Sequence, residues 1–223
     1  MDTNHRHWNQ GHQKLRRLLA ANEHQKAIDL FLLQHAMVHS AKVSTAKLWS
    51  FEDEILNDMP EDQIRCIPPG GEHSIAWILF HLARIEDITM NLLVAGTPQL
   101  FVRDGWAKRL RVIIPHSANE MDEAGVASLN AQIDIDELRA YRQSVGRRTR
   151  AIVRKLKPEE LKQKADPSRL QKVMEEGALL PEATGILNYW SKRTIAGLLL
   201  MPPTRHNFLH LNEALRIKQK LQP

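Results

Sequence analysis

"SIAWILFHLARIEDITMNLLVAG", residues 74–96, is the stretch on which the fold turns. It opens on Ser74, a good helix N-cap, and closes on Gly96, a good helix stop, with neither proline nor glycine between them. Trp77, His81, Arg84, Ile88 and Leu92 share one helical face, while Ile75, Leu79, Leu82 and Leu93 cover another. A helix that is apolar almost all round over its first half belongs at the centre of a larger assembly. His81 is therefore expected deep in the interior, either as a neutral core histidine with a hydrogen-bond acceptor or as a ligand.

Helical periodicity also dominates outward from this segment, and no convincing strand alternation occurs. A short polar helix is expected over about residues 8–20, then a long helix from Glu23 to about Lys47. "IPPGG", residues 67–71, breaks the chain before Ser74. Residues 97–133 read as an irregular insertion with one short helix. A third long helix begins near Asp134 or Asp136 and reaches about Leu156, and Thr204 suits the N-cap of the last one. Four long helices and several short ones imply an all-α four-helix core, residues 23–223, preceded by an N-terminal extension, residues 1–22.

The bulk numbers narrow the class of protein. Hydrophobic residues make up 43% of 223, enough for one packed core without a second domain. The single cysteine, Cys66, excludes an intrachain disulfide and suits a reducing cytoplasm. The N-terminus lacks the apolar run of a signal peptide, and the apolar runs elsewhere are too short or too interrupted to span a bilayer, so a cytoplasmic protein with no membrane partner is expected. A net charge of +5 permits an acidic partner without arguing for one. Eight of the 31 lysines and arginines crowd "LRAYRQSVGRRTRAIVRKLK", residues 138–157, around the inward stripe Leu138, Tyr141, Val145, Ile152 and Leu156. With no interleaved aromatics, this face reads as solvated rather than as a specific nucleic-acid surface.

The last helix, "MPPTRHNFLHLNEALRIKQK" from residue 201 to 220, carries His206 and His210 one turn apart. On a helical wheel both lie in the arc of Ile217, Ala214, Asn207, Leu211 and Phe208, opposite Arg205, Leu209 and Arg216. That inward placement argues against two solvated histidines. The pair is close enough to share an ion, although the glutamate of the zinc-protease H-E-x-x-H motif is absent.

The histidine in "SIAWILFHLARIED" together with H-x-x-x-H in the last long helix resembles the DinB-like superfamily, which includes damage-inducible DinB proteins and bacillithiol- and mycothiol-dependent enzymes. The resemblance spans roughly Glu23 to Lys220. It implies a four-helix bundle whose metal site takes one histidine from the second core helix and two from the last: here His81, His206 and His210. Three neutral imidazoles suit zinc or nickel first, and iron or copper as well, and leave an open coordination position. A metal-dependent thiol S-transferase or hydrolase acting on a small molecule is the function implied, with a low-molecular-weight thiol as a candidate cosubstrate and a second copy of the chain as a candidate partner. The alternative is a non-enzymatic helical protein that binds a small ligand or nucleic acid.

Around the site, His35 and His39 repeat the i, i+4 spacing and read as a polar pair at a helix–helix seam, with approach to the metal as the alternative. Glu213, one turn after His210, is a candidate to orient it, or else simply solvated. Arg84, one turn after His81, is a candidate holder of an anionic substrate group, or else a partner in an interhelical salt bridge. Trp77 is expected in the core or as a pocket wall. No catalytic base or nucleophile signature stands out.

Overall fold

The computed structural model describes residues 2–222. Five long helices carry the architecture: α1 (Thr3–Ala20), α2 (His24–Met37), α3 (Ile75–Asp87), α4 (Ile135–Val153) and α5 (Asn207–Leu221). Among the described residues there is no strand, only an isolated bridge between Lys164 and Thr194, so the fold is all-α as expected.

α3 is the axis of the molecule. The Ser74 hydroxyl accepts the Trp77 N–H at 3.0 Å and starts the helix. Every side chain from Ile75 to Val94 is buried. Beyond Asp87 the helix widens into a π-helical stretch, Ile88–Ala95, and stops at Gly96, whose φ of 63° favours glycine. α2, α3, α4 and α5 meet at one carboxylate: Glu86 of α3 accepts hydrogen bonds from His35 of α2, Thr149 of α4 and Asn207 of α5. α4 begins at Asp134, whose side chain accepts the Glu137 N–H at 3.1 Å, and it buries Leu138, Tyr141, Val145 and Ile152 against α3.

Several boundaries differ from expectation, each for a local reason. α2 ends at Met37 rather than near Lys47, because Ser40 caps a separate 3₁₀ turn, Ala41–Val43, and serines compete with the helix for backbone groups. Residues 97–133 hold three short helices, Leu100–Arg103, Trp106–Leu110 and Glu123–Gln132, where one was expected. Thr204 is not an N-cap. The chain passes through Pro202 and Pro203 in a π-helical turn, Met201–His206, that runs straight into α5, and the Thr204 hydroxyl donates back to the Leu199 carbonyl at 2.8 Å. Prolines are tolerated there because a first helical turn has no partner for their missing N–H groups.

α1 is longer than the segment predicted, and its apolar side is buried at Trp8, Leu15 and Leu18. It lies so close to α2 that a Cβ on Gly11 would stand 2.3 Å from Gln34 Nε2. Trp8 stacks on Phe208 of α5 with ring centroids 4.0 Å apart, and its indole N–H donates to the Gln34 carbonyl at 3.1 Å. Replacing Trp8 with alanine is therefore expected to cost about 3–5 kcal/mol, the range for a large aromatic in a core. Urea unfolding measures this, and a cost near zero would mean that α1 is dispensable to the core.

The basic helix is not the uniformly solvated face that its composition suggests. Arg142 and Arg150 are buried. Arg142 donates to Glu52, to the Val38 carbonyl and to Asn207, while Arg150 donates to the Leu32 carbonyl at 2.6 Å. Sequence periodicity reports which side of a helix is inward but not that an inward cation has found partners. Arg147, Arg154, Lys155 and Lys157 remain exposed. These exposed charges are expected to give only weak duplex binding that falls steeply with salt. Titration at two salt concentrations checks it, and tight, sequence-selective binding abolished by replacing Arg147, Arg154 and Lys155 would contradict it.

Candidate metal centre

α3 delivers His81, the π-helical turn delivers His206, and α5 delivers His210. The three rings stand edge to face with centroids 4.6–5.1 Å apart. His81 Nε2 lies 3.2 Å from His206 Nε2, and one ring nitrogen from each histidine falls within 4.8 Å of the others. His81 donates its Nδ1–H to the Ser117 carbonyl at 2.8 Å, which leaves its Nε2 as a lone-pair donor. His210 donates its Nδ1–H to Glu213 Oε2 at 2.9 Å, with the same consequence. Fixing the far nitrogen on a carbonyl or carboxylate is how ligating histidines are oriented. His206 Nδ1 is buried without a partner.

Electrostatics keep His81 and His206 neutral. Burial, with the neighbouring His210, lowers His81 to about 3, and burial with His81 holds His206 well below its ordinary value. A cluster of three imidazoles converging on one point, with two outer protons pinned, fits a borderline transition ion by its donor chemistry.

The expected surroundings are only partly where the sequence placed them. Glu213 accepts the His210 Nδ1–H with one oxygen, and its other oxygen accepts from His73 Nδ1 at 3.1 Å. Burial opposes its charge, but these two hydrogen bonds prevail and bring Glu213 down to about 2. Trp77 is sandwiched between His73, at 3.6 Å, and His81, at 4.9 Å, so it forms a wall that sets the His81 ring plane. Arg84 faces elsewhere. Its guanidinium donates to Tyr141, Gln99 and the Pro115 carbonyl and covers the Phe101 ring, so it is not free for a substrate anion. The carboxylate near it, Asp87, belongs to its own helix and is 3.6 Å away.

His35 and His39 bind Glu86 at 2.9 and 3.0 Å rather than joining His81, His206 and His210. These two histidines and Glu86 also bring one ligand atom each within 4.8 Å of one another. The Glu86 oxygens already accept from both histidines, from Thr149 at 2.7 Å and from Asn207 at 3.1 Å, so the carboxylate is saturated as a hydrogen-bond hub. Burial lowers His39 to about 3 and lowers His35 as well. Burial also works against the Glu86 charge, yet the two histidines outweigh it and hold Glu86 well below the usual carboxylate range.

Some parts of the site escaped sequence reasoning. The Ser117 carbonyl is a backbone group 36 residues from His81, which no side-chain pattern can report. His73 was legible in principle, since His73, Trp77 and His81 repeat at intervals of four and form one stacked ladder.

A buried helix crossed by a second helix that brings two histidines to its one histidine defines a helical bundle with a three-histidine pocket. The chain belongs to the DinB superfamily, whose profile matches residues 49–213, a span containing all three histidines and beginning after α2. No curated protein matches the chain.

Proposed function

We propose that His81, His206 and His210 hold one divalent transition metal, zinc or nickel before iron or copper, and that the protein is a metal-dependent enzyme of transferase or hydrolase type. The observation that supports this reading is the pair of pinned outer protons, Ser117 on His81 and Glu213 on His210, which leaves a lone pair on both inner nitrogens. When bound, such an ion supplies Lewis acidity, lowering the pKa of a water or thiol. The remaining work falls to the chain. Ser117 and Glu213 fix tautomers, Trp77 sets a ring plane, and the packing around α3 limits water. Glu213 is engaged on both oxygens by His210 and His73, so it supports the site rather than serving as a free base.

A low-molecular-weight thiol is the proposed cosubstrate for the transferase form. The test begins with elemental analysis of untagged protein, followed by two assays: loss of thiol in the presence of an electrophile, and hydrolysis of a panel of esters and amides. Stoichiometric metal with turnover in either assay is the expected result. Metal without turnover in both would leave a binding protein.

A further inference from the structure

Arg84 was the cation placed to receive an acidic group, and its withdrawal changes what the site can recognise. The cavity that adjoins the histidine cluster at His206 is apolar. A cavity of about 250 Å³ has His206 as one wall. Ile85, Ile186, Trp190, Met201 and Pro202 supply most of the rest. Asn119 and Tyr189 are the other polar members, and no lysine, arginine, aspartate or glutamate lines it. Ile85 lies one turn beyond His81, and Met201 and Pro202 open the π-helical turn that ends at His206, so the elements that build the histidine cluster also build the cavity. Asn119 stands two residues after Ser117, the residue that pins His81, and its amide oxygen accepts from the Ser117 hydroxyl at 2.7 Å. His206 and Asn119 therefore lie on the side of the cluster.

We infer that this cavity is the substrate site, and that it takes an uncharged, largely apolar small molecule whose one polar end meets His206 and Asn119. A charged group buried there would lose its hydration with no counter-charge in return, whereas an apolar body gains by leaving water. The volume is below the roughly 300–1,000 Å³ of sites for drug-sized ligands, so the molecule is small. Its entrance is legible too. Gly185 is exposed and Tyr189 half-buried, which places them at the rim. A Cβ built on Gly185 meets no atom within 4 Å, so a large side chain fits there without straining the fold.

This inference rests on the metal reading for the chemistry at the polar end, and the experiment separates the two. Cobalt(II) is loaded first and its content measured. Imidazole, 4-phenylimidazole and 4-(imidazol-4-yl)benzoate are then titrated at pH 8 and followed by the visible absorption of the cobalt. The phenyl tail is expected to tighten binding at least tenfold over imidazole, and the carboxylate on that tail to remove the gain. Gly185→Phe, which narrows the entrance, and Ile186→Asp, which charges the wall, should each return 4-phenylimidazole to the affinity of imidazole, with cobalt content and helicity unchanged. Equal affinities for the three probes at full cobalt content, or a tail gain that survives both substitutions, would overturn the cavity as the substrate site and leave the metal reading standing. Failure of the wild type to take up cobalt would remove both.

Discussion

Alanine at His81, His206 or His210 leaves the purified protein with less than about a tenth of the metal held by wild type, because losing a ligand costs more than the 10–100-fold typical of an outer hydrogen-bond partner. Glu213→Ala, which frees His210 to rotate, should weaken the metal by about 10–100-fold without abolishing it. His35→Ala and His39→Ala should keep their metal, since both rings face Glu86. Mass-spectrometric metal content of wild type and these six variants decides the matter. Wild type should carry one equivalent. An equivalent retained in His81→Ala would move the metal to His35, His39 and Glu86, and metal-free wild type after growth in supplemented medium would refute the site. From residue type alone, protons should compete with the metal below about pH 6.5. Burial moves that competition lower at two ligands, since His81 is neutral down to about 3 and His206 is also lowered. Proton competition at His81 and His206 should therefore begin at lower pH than residue type alone implies, and metal content across a pH series reads it.

A loss of stability as large as that at Trp8 is expected from Glu86→Ala. Four donors, His35, His39, Thr149 and Asn207, would face a buried space without an acceptor, and breaking such a buried network typically costs about 3–5 kcal/mol. Urea unfolding at pH 7 reads the loss, and a cost below about 1 kcal/mol would show that the hub does not hold the four helices together. The same cluster predicts acid sensitivity. A histidine that is neutral in the fold to about 3 but titrates near 6.5 when unfolded takes up its proton only on unfolding within that window. Stability from His39 is thus complete above about 6.5 and is lost as pH falls toward 3. Glu86, lowered in the fold, acts in the same direction: its contribution is present above the unfolded carboxylate range and is lost at lower pH. A flat stability between pH 7 and 4 would contradict the His39 assignment, and a flat stability below the carboxylate range would contradict that of Glu86.

The helices α3, α4 and α5 were legible in the sequence, α3 because it is apolar almost all round and α4 and α5 because their apolar residues repeat at the helical period. Ser74, Gly96 and Asp134 marked ends for the same local reason: each satisfies the backbone within a few residues. The resemblance to the DinB-like superfamily pointed to the three histidines, and the interior arc of α5 was already visible on its wheel. Tertiary structure alone decided the rest. It closed Arg84 off with Tyr141, Gln99 and Pro115, it turned His35 and His39 to Glu86, and it drew Arg142 inward to Glu52 and Asn207. A polar side chain on an inward face must find a partner, but periodicity carries no information about which distant residue provides it. The Ser117 carbonyl that makes His81 a ligand-ready imidazole, and the apolar cavity beside His206, both arise where segments far apart in the chain come together, so they exist only in the folded molecule.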